Sequence, residues 1–142
     1  MAPVETVQID LIDGSFAENL TVSPLDLVNI EWGRLQLDVH LMVDEPMDYV
    51  HELVAVKEQL PVRAVIAQIE KMSFQADFME ETKKHSWKTG LSLDIFTPLE
   101  EIDSDSWRDL DVLQLMGIES GVQGQELKPY LFDKLTEARK LI

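Results

Sequence analysis

Leu35-Gln36-Leu37-Asp38-Val39-His40-Leu41-Met42-Val43 alternates along its length. Successive side chains of a strand point to opposite faces. Leu35, Leu37, Val39 and Leu41 therefore share one face, and Gln36, Asp38, His40 and Met42 share the other. A helical pattern follows at once, from Met47 to Gln59. The same unit recurs outward in both directions. Val7 to Ile12 reads as a strand and Leu25 to Ile30 as a short helix; Val62 to Ile69 reads as a strand and Gln75 to His85 as a helix. Lys88 to Ile95 is a strand with a short helix from Pro98 to Ile102, and Val112 to Ile118 is a strand with a helix from Pro129 to Ile142. Strands alternating with helices make βαβ units and a parallel sheet, so about five parallel βα units are expected in one α/β domain over residues 1–142.

The other strands carry the same two-faced pattern. Val7, Ile9 and Leu11 oppose Gln8 and Asp10. Val65, Ala67 and Ile69 oppose Ile66, Gln68 and Glu70, and Leu91, Leu93 and Ile95 oppose Ser92 and Asp94. Ordinary parallel strands are apolar on both faces. Here one face suits packing against helices, and the other is polar and acidic. That second face either meets water or lines a site. The late position of Asp10, His40, Glu70 and Asp94 in their strands favours a site, as at the carboxyl ends of barrel strands.

Composition excludes several classes. The 142 residues carry a formal net charge of −15 and are 45% hydrophobic. No basic cluster of the kind that holds nucleic acid is visible, so nucleic acid is not an expected partner. The acid excess also opposes a phosphorylated ligand unless local groups overcome it. No apolar run approaches the roughly 20 residues of a membrane-spanning helix. The start, Met1-Ala2-Pro3-Val4-Glu5, has neither the basic end nor the apolar core of a secretory leader. With no cysteine, disulfides, thiolate ligands and cysteine nucleophiles are excluded, which fits a cytoplasmic location. His51 and His85 are expected at the surface, the tryptophans Trp32, Trp87 and Trp107 in packing roles, and Glu80-Glu81-Thr82-Lys83-Lys84 on a solvated helix face.

Val7-Gln8-Ile9-Asp10-Leu11-Ile12-Asp13-Gly14-Ser15-Phe16, with Asn19 after it, is similar to the His-x-Asp-x-Met-Asp-Gly-x-Phe strand and loop of the ribulose-phosphate 3-epimerase family. Leu37 to Val43, followed by Pro46, resembles its next strand. Thr97-Pro98-Leu99-Glu100 resembles its Ala-Thr-Pro-Leu-Glu stretch. Met116-Gly117-Ile118-Glu119-Ser120-Gly121-Val122-Gln123-Gly124-Gln125 resembles Met-Thr-Val-x-Pro-Gly-Phe-Gly-Gly-Gln. The matches keep the family's order from end to end of the chain.

The resemblance implies a TIM (β/α)₈-barrel-like, ribulose-phosphate-binding fold and a sugar phosphate of pentose phosphate metabolism as substrate. It also implies two aspartates on opposite faces of the sugar, one removing the proton alpha to a ketone and one returning a proton. A divalent metal (Zn, Fe or Mn) held by two His and two Asp would stabilise the enediolate. Carried over by residue, Asp10 matches the first catalytic aspartate and a metal ligand, and His40 matches a metal histidine. Met42 and Met116 match methionines flanking the site, and Gly121 and Gly124 match glycines of a loop near the substrate phosphate.

Departures accompany these matches. Gln8 stands where the first metal histidine belongs, and an amide is a poor replacement for imidazole. Ile12 replaces a site methionine, Gln68 stands where the family's fourth strand often carries His, and Val122 and Gln123 replace Phe and Gly. The matches run from the family's second strand through its sixth helix. The barrel is therefore expected to be incomplete, without the units that carry the second aspartate and most of the phosphate site. Two functions follow from this: an epimerase-like isomerase impaired in this chain alone, with weak metal binding, or a non-catalytic barrel remnant acting as a binding or assembly module. Open strand edges would then favour a flattened sheet, a homo-oligomer, or docking of a missing segment.

Overall fold

A computed structural model describes residues 3–142; Met1 and Ala2, the first two positions of the stretch read for a leader, lie outside the described residues. Five strands, β1 (Thr6–Ile12), β2 (Gln36–Met42), β3 (Val62–Gln68), β4 (Lys88–Leu93) and β5 (Val112–Leu115), form one sheet in the order β1-β2-β3-β4-β5. Every pairing is parallel. The helices α1 (Pro24–Leu27), α2 (Pro46–Ala55), α3 (Gln75–Lys84), α4 (Ser106–Asp109) and α5 (Tyr130–Ala138) follow the strands in turn. This is the expected alternation, with element ends within a few residues of those read from the sequence. Pro98–Ile102 makes only a 3₁₀ turn at Leu99–Glu101, and α4 is a one-turn helix the periodicity did not place. Among the described residues no helix is long and apolar enough to cross a membrane.

Local chemistry sets the ends of these elements. Ser23 and Asp26 form a reciprocal capping box around Pro24 at the start of α1, which satisfies donors that the first turn leaves free. Pro46 opens α2, where its missing N–H costs nothing. Lys84 pairs with both Glu80 and Glu81 at 3.2 Å on the exposed side of α3, as the charge pattern predicts, while Thr82 between them is buried. His85 is half-buried rather than at the surface, because Glu81 Oε1 lies 3.1 Å from its Nε2 and Trp87 lies beside its ring.

The apolar strand face packs under the helices. Leu37, Val39 and Leu41 are fully buried there, as are Val50 and Leu53 of α2 and Phe78 of α3. The helices pack on one another in chain order, α1 on α2, α2 on α3 and α3 on α4. In β2, β3 and β4 the polar strand face is buried as well: His40, Gln68 and Ser92 are closed to water and Asp38 nearly so. β1 leaves part of that face wet, at the exposed Gln8.

Curvature explains this burial. The Gln114 amide of β5 reaches to within 3.2 Å of the His40 ring of β2, although two strands lie between them in the sheet. A flat sheet cannot bring those side chains together. The sheet therefore keeps barrel-like curvature although β1 and β5 do not pair, and the flattening considered from the sequence does not occur. Gly90 assists the bend, because a Cβ there would lie 2.6 Å from Ile66 Cγ1 on the neighbouring strand. Thr21 covers the free side of β1, donating from Oγ1 to Asp10 O at 2.7 Å and accepting from Ile12 N at 2.9 Å.

At the amino-terminal end of the sheet the register shifts between Leu37 and Asp38, which sets Arg63 beside Asp38. Arg63 Nε donates to Asp38 Oδ1 at 2.8 Å, and Nη2 donates to the second carboxylate oxygen. The Asp38 side chain keeps only 12% of its exposure and that of Arg63 30%. Asp38→Ala should cost about 2 kcal/mol, below the roughly 3–5 kcal/mol for a fully buried pair, because Arg63 regains some water. Urea melts of Asp38→Ala, Arg63→Ala and the double variant would measure the coupling. A coupling energy near zero would mean that the pair is ornamental.

Candidate functional site at the carboxyl ends of the strands

Asp10 and His40 are direct register partners on β1 and β2, so their side chains leave the sheet on the same face. His40 Nδ1 lies 3.1 Å from Asp10 Oδ1. Gln8, two residues earlier on the same face, donates from Nε2 to the same oxygen at 2.9 Å. The hydrogen bond from His40 is the largest influence on Asp10 and, with that from Gln8, holds its carboxyl below the usual range despite partial burial. The carboxylate is thus ionised at neutral pH and can act only as an acceptor, so the ring nitrogen is the donor.

His40 itself is 0% exposed. Gln114 Nε2 lies 3.2 Å from Nδ1 and 3.4 Å from Nε2 of the ring. The Gln68 amide abuts Nε2 at 3.3 Å. Turned over, that amide donates to Ser92 O at 3.1 Å and to Glu70 Oε2 at 2.9 Å, and accepts from Ser92 Oγ at 3.2 Å. The surrounding donors and acceptors favour this turned orientation, which presents the amide oxygen to His40.

Loops complete the site. Asp13 Oδ1 accepts from the N–H groups of Ser15 and Phe16, and Oδ2 accepts from Asp44 N, which ties the loop after β1 to the end of β2. Asn19 Nδ2 donates to Gly121 O at 2.9 Å, joining that loop to the one after β5. Gly121 has φ 100°, and a Cβ there would meet Ala17 Cβ at 2.4 Å, so glycine is required twice over. Ser120 Oγ donates to Asp94 Oδ1 at 3.1 Å. Lys134 of α5, 2% exposed, donates to Asp94 O at 2.6 Å and fastens α5 under the end of β4. Burial lowers the pKa of Lys134, opposed by the charges of Glu70 and Asp94.

Between these loops lies a cleft of about 350 Å³, lined by Asp10, Ile12, Asn19, Thr21, Met42, Met116, Ile118, Gly121, Val122 and Gln123. Asp10, Met42, Met116 and Gly121, all singled out from the sequence, meet there. His40 lies beneath, reached through Asp10. Gly124 is exposed and apart from the cleft wall. Two larger hollows, about 900 and 600 Å³, contain neither Asp10 nor the residues around it. Sequence reading gave no role at the site to Gln114, Ser120 or Lys134. Gln114 carries the one available signal, an amide in the otherwise apolar strand Val112–Leu115.

A divalent metal of the kind the resemblance implies fits these residues poorly. Among the described residues no group of three or more His, Cys, Asp or Glu side chains gathers. Gln8 turns its amide nitrogen, not its oxygen, to Asp10, and both ring nitrogens of His40 have side-chain neighbours. Asp10 and His40 remain as two potential ligands, fewer than metal sites ordinarily use.

The model of the ribulose-phosphate 3 epimerase family matches residues 1–142. The chain belongs to the ribulose-phosphate 3-epimerase family. It is 30% identical over 138 residues to the ribulose-phosphate 3-epimerase of Bacillus subtilis strain 168, covering 96% of this chain and 61% of the relative. The corresponding protein of Escherichia coli K12 is 31% identical over 144 residues, 99% of this chain and 61% of the relative. The rice cytoplasmic isoform is 27% identical over 137 residues, 94% of this chain and 59% of the relative. The chain thus spans about three fifths of the length of these curated relatives. Its five parallel strands and their helices are part of the barrel-like α/β fold of this family.

Proposed function

We propose that this chain carries a proton-transfer site for a ketose phosphate, with Asp10 as the carboxylate that removes or returns the proton on the carbon beside the ketone. The position of Asp10 carries this reading. Its side chain is 35% exposed at the cleft while His40 behind it is closed off, so one carboxylate oxygen is held and the group still faces the space where a substrate would sit. A general base needs this combination of ionisation and reach. A cleft of about 350 Å³ lies within the range of small-ligand sites. The Bacillus subtilis and Escherichia coli relatives are ribulose-phosphate 3-epimerases, which supports ribulose phosphate as the sugar.

Among the described residues Asp10 is the only carboxylate lining the cleft. One carboxylate can exchange a proton with solvent, but inversion by the two-base route needs a second acid on the opposite face. In this chain alone, exchange should therefore outrun epimerisation. The chain would be incubated with ribulose 5-phosphate in deuterium oxide and the proton on carbon 3 followed by NMR. Deuterium should enter that position faster than xylulose 5-phosphate forms. Exchange no faster than with heat-denatured chain would sink the reading.

A second reading, a non-catalytic module that binds a partner or another copy, draws on β5. That strand is hydrogen-bonded on one side only, and exposed Phe132 and Leu135 lie on the helix that follows it. Absence of exchange together with a mass that rises with concentration in light scattering would favour it.

A further inference from the structure

We infer that Asp10 and His40 work as a cation-free pair, with three glutamine amides, Gln8, Gln68 and Gln114, setting the geometry that a divalent metal sets in the arrangement the resemblance implies. The inference deepens the epimerase reading and takes from it the role of Asp10 as the reacting carboxylate.

The donor set carries the argument. A cation at this position would need lone pairs from Asp10, His40 and the residue at position 8. Position 8 offers an amide proton, since Gln8 Nε2 donates to Asp10 Oδ1 at 2.9 Å. His40 Nδ1 donates to that same oxygen at 3.1 Å, so a proton stands between ring and carboxylate where a bridging cation would lie. The other ring nitrogen abuts Gln68 at 3.3 Å and Gln114 at 3.4 Å. With Nδ1 as the donor this nitrogen accepts, and the Gln114 amide nitrogen can donate to it whichever way the Gln68 amide faces. The ring is wholly buried, so a cation would have to displace amides from a closed space before it gained a ligand. Gln114 holds the ring from β5, across the concave face, and lies outside the cleft lining. It is therefore a positioning residue, acting on Asp10 through His40.

The test uses the full chain after dialysis against a chelator. Zinc and manganese are added in equal molar amount, and metal content is measured after gel filtration. In parallel, the nitrogen resonances of the His40 ring are recorded by NMR with and without zinc. Wild-type chain should elute with substoichiometric metal, and zinc should leave the His40 nitrogens unmoved. Gln8→His restores an imidazole beside Asp10 and His40, and in that variant zinc should be retained and should shift them. Gln114→Leu keeps the volume but removes the amide; it should shift the His40 nitrogens without metal and lower kcat for deuterium exchange more than it raises KM. One zinc or manganese per wild-type chain, or movement of the wild-type His40 nitrogens on adding zinc, would overturn the inference. The metal content and the His40 nitrogen shifts need no turnover, so they decide it even where the exchange experiment finds no activity.

Discussion

Asp10→Asn should lower deuterium exchange at carbon 3 of ribulose 5-phosphate by about 10²–10⁴-fold, the usual contribution of a positioned acid or base. The substitution keeps the shape of the side chain and removes its charge. Asp10 is ionised because His40 and Gln8 donate to it; an amide can still accept from one of them but cannot take a proton from carbon. Circular dichroism should show the fold retained, since the backbone pairing of Asp10 with His40 does not depend on the carboxylate. A control separates charge in general from this charge. Asp26 is exposed in the capping box of α1, and Asp26→Asn should leave exchange within twofold or so, as a surface change away from the site. Exchange by Asp10→Asn at the wild-type rate would remove Asp10 from the chemistry.

Phe78→Ala should destabilise the chain by about 3–5 kcal/mol, the range for emptying a buried aromatic position. Phe78 is 0% exposed and sits in the main core cluster between the helices and the sheet. It is one of four buried side chains, with Gln75, Met79 and Thr82, that α3 presents inward. Little else on that helix can fill the space. Against a typical total stability of roughly 5–15 kcal/mol, the loss would leave a marginal fold. Urea denaturation of both proteins would show it as a lower midpoint at similar slope. A loss below about 1 kcal/mol would mean that α3 collapses into the cavity.

Much of this architecture is legible in the sequence because two-residue periodicity survives in it. Leu37, Val39 and Leu41 face the helices as their spacing predicts, and Asp10 and His40 share a face for the same reason. The burial of the polar face was not legible. It depends on how tightly the sheet rolls, and the roll is visible only when Gln114 meets His40, a contact between residues that no local pattern relates. The interplay of Ser120 with Asp94, and of Lys134 with the end of β4, is hidden likewise, because each joins separate loops and helices. Gly124, whose motif position matches, has φ 82° with open space around it and follows Gln123 of the cleft lining.

The tie between Asn19 and Gly121 spans 102 residues, whereas Asp10 and His40 are 30 apart. This difference orders events as the chain folds. Each strand pairs with the next in sequence, so the sheet can grow by short loop closures that fold quickly. Closing the longer loop costs only about 1 kcal/mol more in chain entropy, so distance alone would not delay it. The delay comes from geometry, since the loops after β1 and β5 cannot touch until all four pairings have bent the sheet. During synthesis the sheet of β1 to β4 can therefore form before the cleft between the loops after β1 and β5 exists, and the cleft takes shape only once β5 has paired.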